Sequence, residues 1–197
     1  MLFDDFVVTE LLDVVRKTET FYAACIDEIY HVGNADFMVR LPIYVYKQFL
    51  MSCSVYHNLL NGLSNGEIIT ISNKEKKVVE DGFRVRDIVR GQLTAFVKYR
   101  ACYSAVNLII KIPKRKKLNC ELALFSYLRQ SEVKLFAVDV KYLSLLLLDD
   151  PDIEIYTDGV KLWSEWWGDY VSVVQSLRWA PVNIPELIAS IRIPPSE

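Results

Sequence analysis

Apolar residues recur at three- and four-residue spacing near the start of the chain: Phe6, Val7, Leu11, Val14, Val15, Phe21, Tyr22, Ile26 and Ile29. That period predicts a helix over 3–31, with Gly33 as its stop. DFMVRLP (36–42) predicts a short strand, 43–60 a return to helical spacing, and NGLSNG (61–66) a turn-rich break. EIITIS (67–72) and KKVVED (76–81) read as two strands of a hairpin joined through Asn73, Lys74 and Glu75. Residues 86–105 predict a helix with Gly91 as its weak point.

Beyond residue 105 the pattern changes type repeatedly. VNLIIKI (106–112) predicts a strand, ELALFSYLRQ (121–130) a short amphipathic helix, and VKLFAVD (133–139) a strand. KYLSLLLL (141–148) fits either state, and GDYVSVVQSLRW (168–179) predicts a helix. The tail PVNIPELIASIRIPPSE predicts one more short helix or strand with a proline-rich end. Alternating elements of this kind predict an α/β core over 106–197. Residues 1–105 would form a mostly helical N-terminal extension or subdomain.

Composition narrows the class. Of 197 residues 52% are hydrophobic, with seven glycines and seven prolines, as in a core-forming chain. Apolar runs such as Leu145–Leu148 are far too short for a membrane span. The start, MLFDDF, is acidic where a signal peptide is basic, so an intracellular protein away from the membrane is expected. Cys25, Cys53, Cys102 and Cys120 form no C-x-x-C pair, and only His31 and His57 could join them, which gives no support to a zinc site.

The net charge of −2 hides a division. Residues 74–129 hold fourteen Lys/Arg against five Asp/Glu, a balance of +9, whereas 1–73 and 130–197 balance at −5 and −6. A basic middle suits phosphates, and an acidic end suits a cation; the two also suit each other as salt bridges.

The acidic end centres on DDPDIEIYTDGVKLWSEWW (149–167). Asp158-Gly159 is a strong two-residue hairpin signal between two β-prone runs. Counting outward from that turn sets Thr157 opposite Val160, Glu154 opposite Trp163 and Asp152 opposite Glu165. One face would carry Ile153, Ile155, Thr157, Val160, Leu162, Ser164 and Trp166. The other would carry Asp152, Glu154, Tyr156, Lys161, Trp163, Glu165 and Trp167. Carboxylates directly opposite one another repel unless something neutralises them, and a divalent cation would do so. A solvent-exposed face neutralised by Lys161 is the other reading.

Pro151-Asp152, then twelve residues, then Glu165 resembles the core motif of the PD-(D/E)XK nuclease superfamily, most closely that of archaeal Holliday-junction resolvases. The resemblance covers residues 114–180 and implies a restriction-endonuclease-like core, a mixed sheet flanked by helices. It implies a third acid, Glu121, near the start of a helix, and a Mg²⁺ (or Mn²⁺) ion held by Glu121, Asp152 and Glu165 for hydrolysis of DNA. Lys114, Arg115, Lys116 and Lys117, at or before that helix, would bind phosphates. A homodimer is compatible, since such resolvases are dimers. One departure stands out: the family's lysine, two residues after the glutamate, is Trp167 here. Lys161 or Lys141 would have to replace it, or the chain binds without cutting. The alternative is therefore a non-catalytic nucleic-acid-binding or protein-assembly protein. There is no G-x-S-x-G elbow, P-loop or G-x-G-x-x-G.

Overall fold

The structure, a computed structural model, describes residues 3–79, 85–94, 98–111, 119–166 and 169–175. The chain divides into two compact units, Met1–Thr94 and Ala95–Glu197.

The first unit opens with α1 (Phe3–Arg16) and continues through β1 (Thr20–Ile26), β2 (Ile29–Gly33) and β3 (Phe37–Leu41). Two helices follow, α2 (Ile43–Met51) and α3 (Ser54–Leu60), then β4 (Ile68–Ser72), β5 (Lys77–Val79) and α4 (Val85–Leu93). The strands pair antiparallel in the order β5-β4-β1-β2-β3. Val7, Val8, Leu11, Leu12, Val14 and Val15 bury one face of α1, which lies against α2, where Val45, Tyr46, Phe49 and Leu50 are buried. Tyr46 stacks on Tyr30 of β2, with ring centroids 4.1 Å apart.

Two polar side chains tie this unit together. Asn73, in the β4–β5 turn, donates to the carbonyls of Val15 and Thr18 at 2.7 and 2.9 Å, so it caps the end of α1 from across the unit. Its amide oxygen accepts the Tyr56 hydroxyl at 3.0 Å. Buried Gln92 of α4 accepts the Tyr22 hydroxyl and donates to the Asn34 carbonyl at 2.9 Å. Both are hydrogen bonds whose loss strands a buried partner. Gly33 is needed for space: a Cβ there would meet the Phe37 carbonyl oxygen at 2.2 Å.

The second unit holds β6 (Tyr99–Lys111), β7 (Asn119–Arg129), β8 (Glu132–Asp139), a 3-10 helix (Val140–Leu146), β9 (Ile153–Thr157), β10 (Lys161–Trp166) and β11 (Asp169–Gln175). Its strands pair antiparallel in the order β11-β10-β9-β6-β7-β8. The 3-10 helix buries Tyr142, Leu145 and Leu146 against this unit's strands, and its Leu145 carbonyl accepts the hydroxyl of Ser172 on β11.

The expected α/β class is therefore corrected. Every strand pairing described is antiparallel, with no mixed restriction-endonuclease-like core, and residues 1–94 hold a five-stranded sheet where a mostly helical extension was expected. Residues 20–31, expected as helix, lie in the β1–β2 hairpin. ELALFSYLRQ is strand β7, and the helix expected after the 149–167 hairpin is strand β11 over its described part. The reason is shared. Strands buried on both faces lose the alternation that marks them, and all of residues 122–127 are buried. The helix preference of Leu, Ala and Glu then yields to tertiary packing. The 105/106 boundary expected between the domains falls inside β6. Lys114, Arg115, Lys116, Lys117, Trp167 and the expected C-terminal element lie outside the described residues.

The β1–β2 and β7–β8 hairpins turn on Asp27-Glu28 and Gln130-Ser131, all at positive φ between 51° and 64°. Non-glycine residues in that region cost about 1 kcal/mol each. Replacing Gln130-Ser131 by Asn-Gly is expected to raise unfolding stability by roughly 1 kcal/mol in a denaturant melt. A loss of stability would contradict the turn geometry.

His31 on β2 is buried, and Arg40 lies opposite it on β3. Burial first, then the Arg40 charge, pull its pKa from 6.5 down to about 4. The unfolded chain thus binds this proton more readily. The stability that a neutral His31 supplies is complete above pH 6.5 and is lost as pH falls towards 4. The loss amounts to about 3 kcal/mol. Melts across that window should show a shallower fall for His31→Leu than for wild type; equal slopes would contradict the assignment.

Candidate functional site

The 149–167 hairpin forms, but not in the expected register. Thr157 pairs with Leu162, Tyr156 with Trp163, Ile155 with Ser164 and Glu154 with Glu165. Four residues, 158–161, lie between the paired strands where two were expected. Side chains build that longer loop. The Asp158 carboxylate accepts the N–H groups of Val160 and Lys161, both at 2.8 Å. Thr157 Oγ1 accepts from Gly159 at 2.9 Å and donates to the Lys161 carbonyl at 2.7 Å. Gly159, at φ 89°, passes so close to Tyr127 that a Cβ would meet the phenol oxygen at 2.9 Å.

A slip of two residues leaves each side chain on its expected face and changes its partner. Asp152 is not opposite Glu165. It lies exposed in the turn before β9, its N–H bound to Asp150 Oδ1 at 2.9 Å. Glu154 stands opposite Glu165 instead, with the Cβ atoms about 5 Å apart. Two facing carboxylates are thus present, but on a different pair from the one expected.

Cations from β6 and the residue before it neutralise them. Arg100, paired with Tyr156 across β6–β9, reaches Glu154 at 3.3 Å. Lys98 forms an ion pair with Glu165. The Tyr156 hydroxyl donates to Glu154 Oε2 at 2.7 Å, and that bond first, then burial, pushes the phenol up to about 12. Lys161 shares the face: its Nζ lies 4.9 Å from the Trp163 ring centroid and 3.8 Å from the Asp158 carboxylate. Burial lowers the Lys161 pKa, against the pull of Asp158. Lys98 Nζ lies over the same indole at 5.4 Å.

The β10 half of this face is buried, whereas Glu154 on β9 and its partner Arg100 are exposed, as the solvated reading expects of them. Lys161, Trp163 and Glu165 are 7%, 1% and 8% exposed. β10 lies between β9 and β11 and is buried on both sides. An extra residue on β11 near Val171 shifts the register where Glu165 sits.

The remaining expected residues do not join this cluster. The backbone of Glu121 lies on β7 opposite Ile109, nine residues along β6 from Arg100, a separation of roughly 25 Å. Lys141 sits with Asp139 at 3.3 Å and over the Tyr142 ring at 4.6 Å. Among the described residues no group of three or more His, Cys, Asp and Glu is arranged to hold a metal ion. Nor is any helix there long and apolar enough to cross a membrane. Lys98 and Arg100 were missed because 86–105 read as helix. Their signal was the alternation Lys98, Tyr99, Arg100, Ala101, which has the period of a strand.

No family model matches the chain, and no curated protein matches it.

Removing Lys98 would leave a nearly buried Glu165 facing Glu154. Lys98→Met should therefore cost about 2 kcal/mol, less than for a fully buried pair because Lys98 is a third exposed. Glu165→Gln should cost less, since it also relieves the repulsion. The double variant should be more stable than the sum of the singles by about 1–2 kcal/mol in denaturant titrations. Additive losses would mean that the pair does not couple.

Proposed function

We propose that this chain is an interaction protein without hydrolytic chemistry, and that nucleic acid is the partner its charge distribution favours. The observation that carries the reading is the Glu154–Glu165 pair, whose charge Lys98 and Arg100 already balance. A divalent cation at Glu165 would have to displace an ammonium from a nearly buried carboxylate. The position that supplies the lysine in resolvase-like nucleases is Trp167. Support for a polyanionic partner comes from the +9 balance of residues 74–129, within which Lys74, Lys76 and Arg90 are exposed.

The competing proposal is the metal-dependent nuclease, with Mg²⁺ (or Mn²⁺) on Glu121, Asp152 and Glu165 and phosphate binding by Lys114, Arg115, Lys116 and Lys117. Labelled single-stranded and duplex DNA, with and without Mg²⁺ or Mn²⁺, separates the two. The expected result is binding that weakens as salt rises, with no cutting. Alanine at all four positions 114–117 should shallow the salt slope on duplex by about 0.9 for each phosphate that is no longer neutralised. Metal-dependent cutting that disappears in Glu165→Gln would restore the nuclease. No binding at low salt would remove nucleic acid as the partner.

A further inference from the structure

Residues 61–66, between α3 and β4, carry the dipeptide Asn-Gly twice, at 61–62 and at 65–66, and all four residues are exposed. Each dipeptide fills the central positions of a β-turn. The first turn is closed by the Leu63 N–H on the Leu60 carbonyl at 3.3 Å, the second by the Glu67 N–H on the Ser64 carbonyl at 3.0 Å. Asn61, at φ −67° and ψ 119°, and Gly62, at φ 99°, make a type II turn. Gly66 takes the same left-handed region at φ 83°. The turns differ in what holds their central peptide. The Gly66 N–H donates to the Cys25 carbonyl of β1 at 2.7 Å. Asn65 Oδ1 accepts the Glu28 N–H at 3.4 Å, and the Glu67 carboxylate accepts the Ser64 N–H at 2.7 Å. In the first turn the Leu60 carbonyl is shared with the Tyr46 hydroxyl, and the Gly62 carbonyl accepts the Ser64 hydroxyl, both at 3.3 Å. Among the described residues no acceptor holds the Gly62 N–H, and no hydrogen bond holds the Asn61 side chain.

We propose that Asn61 is a site of self-modification by loss of its side-chain amide, and that Asn65 is protected from the same reaction. The Gly62 nitrogen gives up its proton to solvent and attacks Cγ of Asn61. The bond from Cγ to the side-chain nitrogen breaks, and ammonia leaves with a proton returned from solvent. The product is a five-membered imide, which water opens at either carbonyl to aspartate or isoaspartate. In sum one water enters, one ammonia leaves, and nothing is oxidised or reduced. Glycine favours the attack because it has no Cβ beside the nitrogen. To close the ring, the Asn–Gly peptide must rotate out of its turn setting. At 61–62 that rotation breaks no bond of the Gly62 N–H, whereas at 65–66 it must break the bond to Cys25. The aspartate form adds a negative charge just past the end of α3. The isoaspartate form lengthens the main chain between buried Leu60 and Leu63. The proposal goes beyond the nucleic-acid reading and does not depend on it.

The test is incubation of the full chain at mildly alkaline pH, with peptide mapping and fragment-ion sequencing at intervals. The exchange of amide for acid should appear at residue 61, as a mixture of aspartate and isoaspartate, about tenfold faster than at residue 65, the factor by which breaking one backbone hydrogen bond slows a step. The same chain unfolded in urea should convert at both positions at similar rates, because the protection comes from the fold. Asn61→Gln, whose longer side chain does not form the five-membered ring, should remove the fast product and leave the slow one. Equal rates in the folded chain, faster conversion at Asn65, or the same preference for Asn61 in urea would overturn the proposal. So would an Asn61 that stays intact in the folded chain while the unfolded chain converts.

Discussion

Two glutamates that face each other across adjacent strands set the terms for the second unit. Glu154 and Glu165 are about 5 Å apart at Cβ, and Glu165 is nearly buried. Such a pair is tolerable only if positive charge is brought to it. Here that charge comes from Lys98 and Arg100, which reach over from the β6 side to β10 and β9. The pairing between β6 and β9 has two residue pairs in register, so these side-chain links add to a short ladder. Trp163 adds a buried indole under both Lys98 and Lys161, so two ammonium groups stay near low-dielectric surface without being stranded.

The same balance bears on chemistry. A hydrolytic metal site keeps carboxylate oxygens for the ion and holds it open to substrate. On this face the carboxylates are engaged with cations and a phenol, and the third acid that the motif requires lies far along the sheet. The ion pairs of this face turn attention from the hairpin to the exposed lysines of the β4–β5 turn.

Parts of this were legible in the sequence, for reasons that can be named. The strands β3, β4 and β5 lie within the segments expected as strands, and β8 exceeds its segment by one residue, because short polar turns bound them. Which hairpin residues share a face was also legible, since a slip of two preserves the pleat. What stayed hidden is the partner of each residue. Asp158 and Thr157 use their side chains to extend the loop, so the strongest turn signal in the chain does not make the two-residue turn it suggests. Conversely, Asp27-Glu28 and Gln130-Ser131 make tight turns with no Asn-Gly signature. β1 and β7 read as helix because both of their faces are buried. Lys98 and Arg100, which decide the electrostatics of the hairpin, lie more than fifty residues before it, in a segment that also read as helix. The resemblance to the nuclease motif rested on Asp152 and Glu165 as a pair, and the longer loop separates them.

Titration of Mn²⁺ into the intact protein, followed by calorimetry, tests most directly whether the facing carboxylates are neutralised from within. If Lys98 and Arg100 supply the charge, wild type should show no saturable site tighter than about 1 mM, and Glu165→Gln should behave the same. A tighter site that vanishes in Glu165→Gln would contradict the account and return the hairpin to metal chemistry.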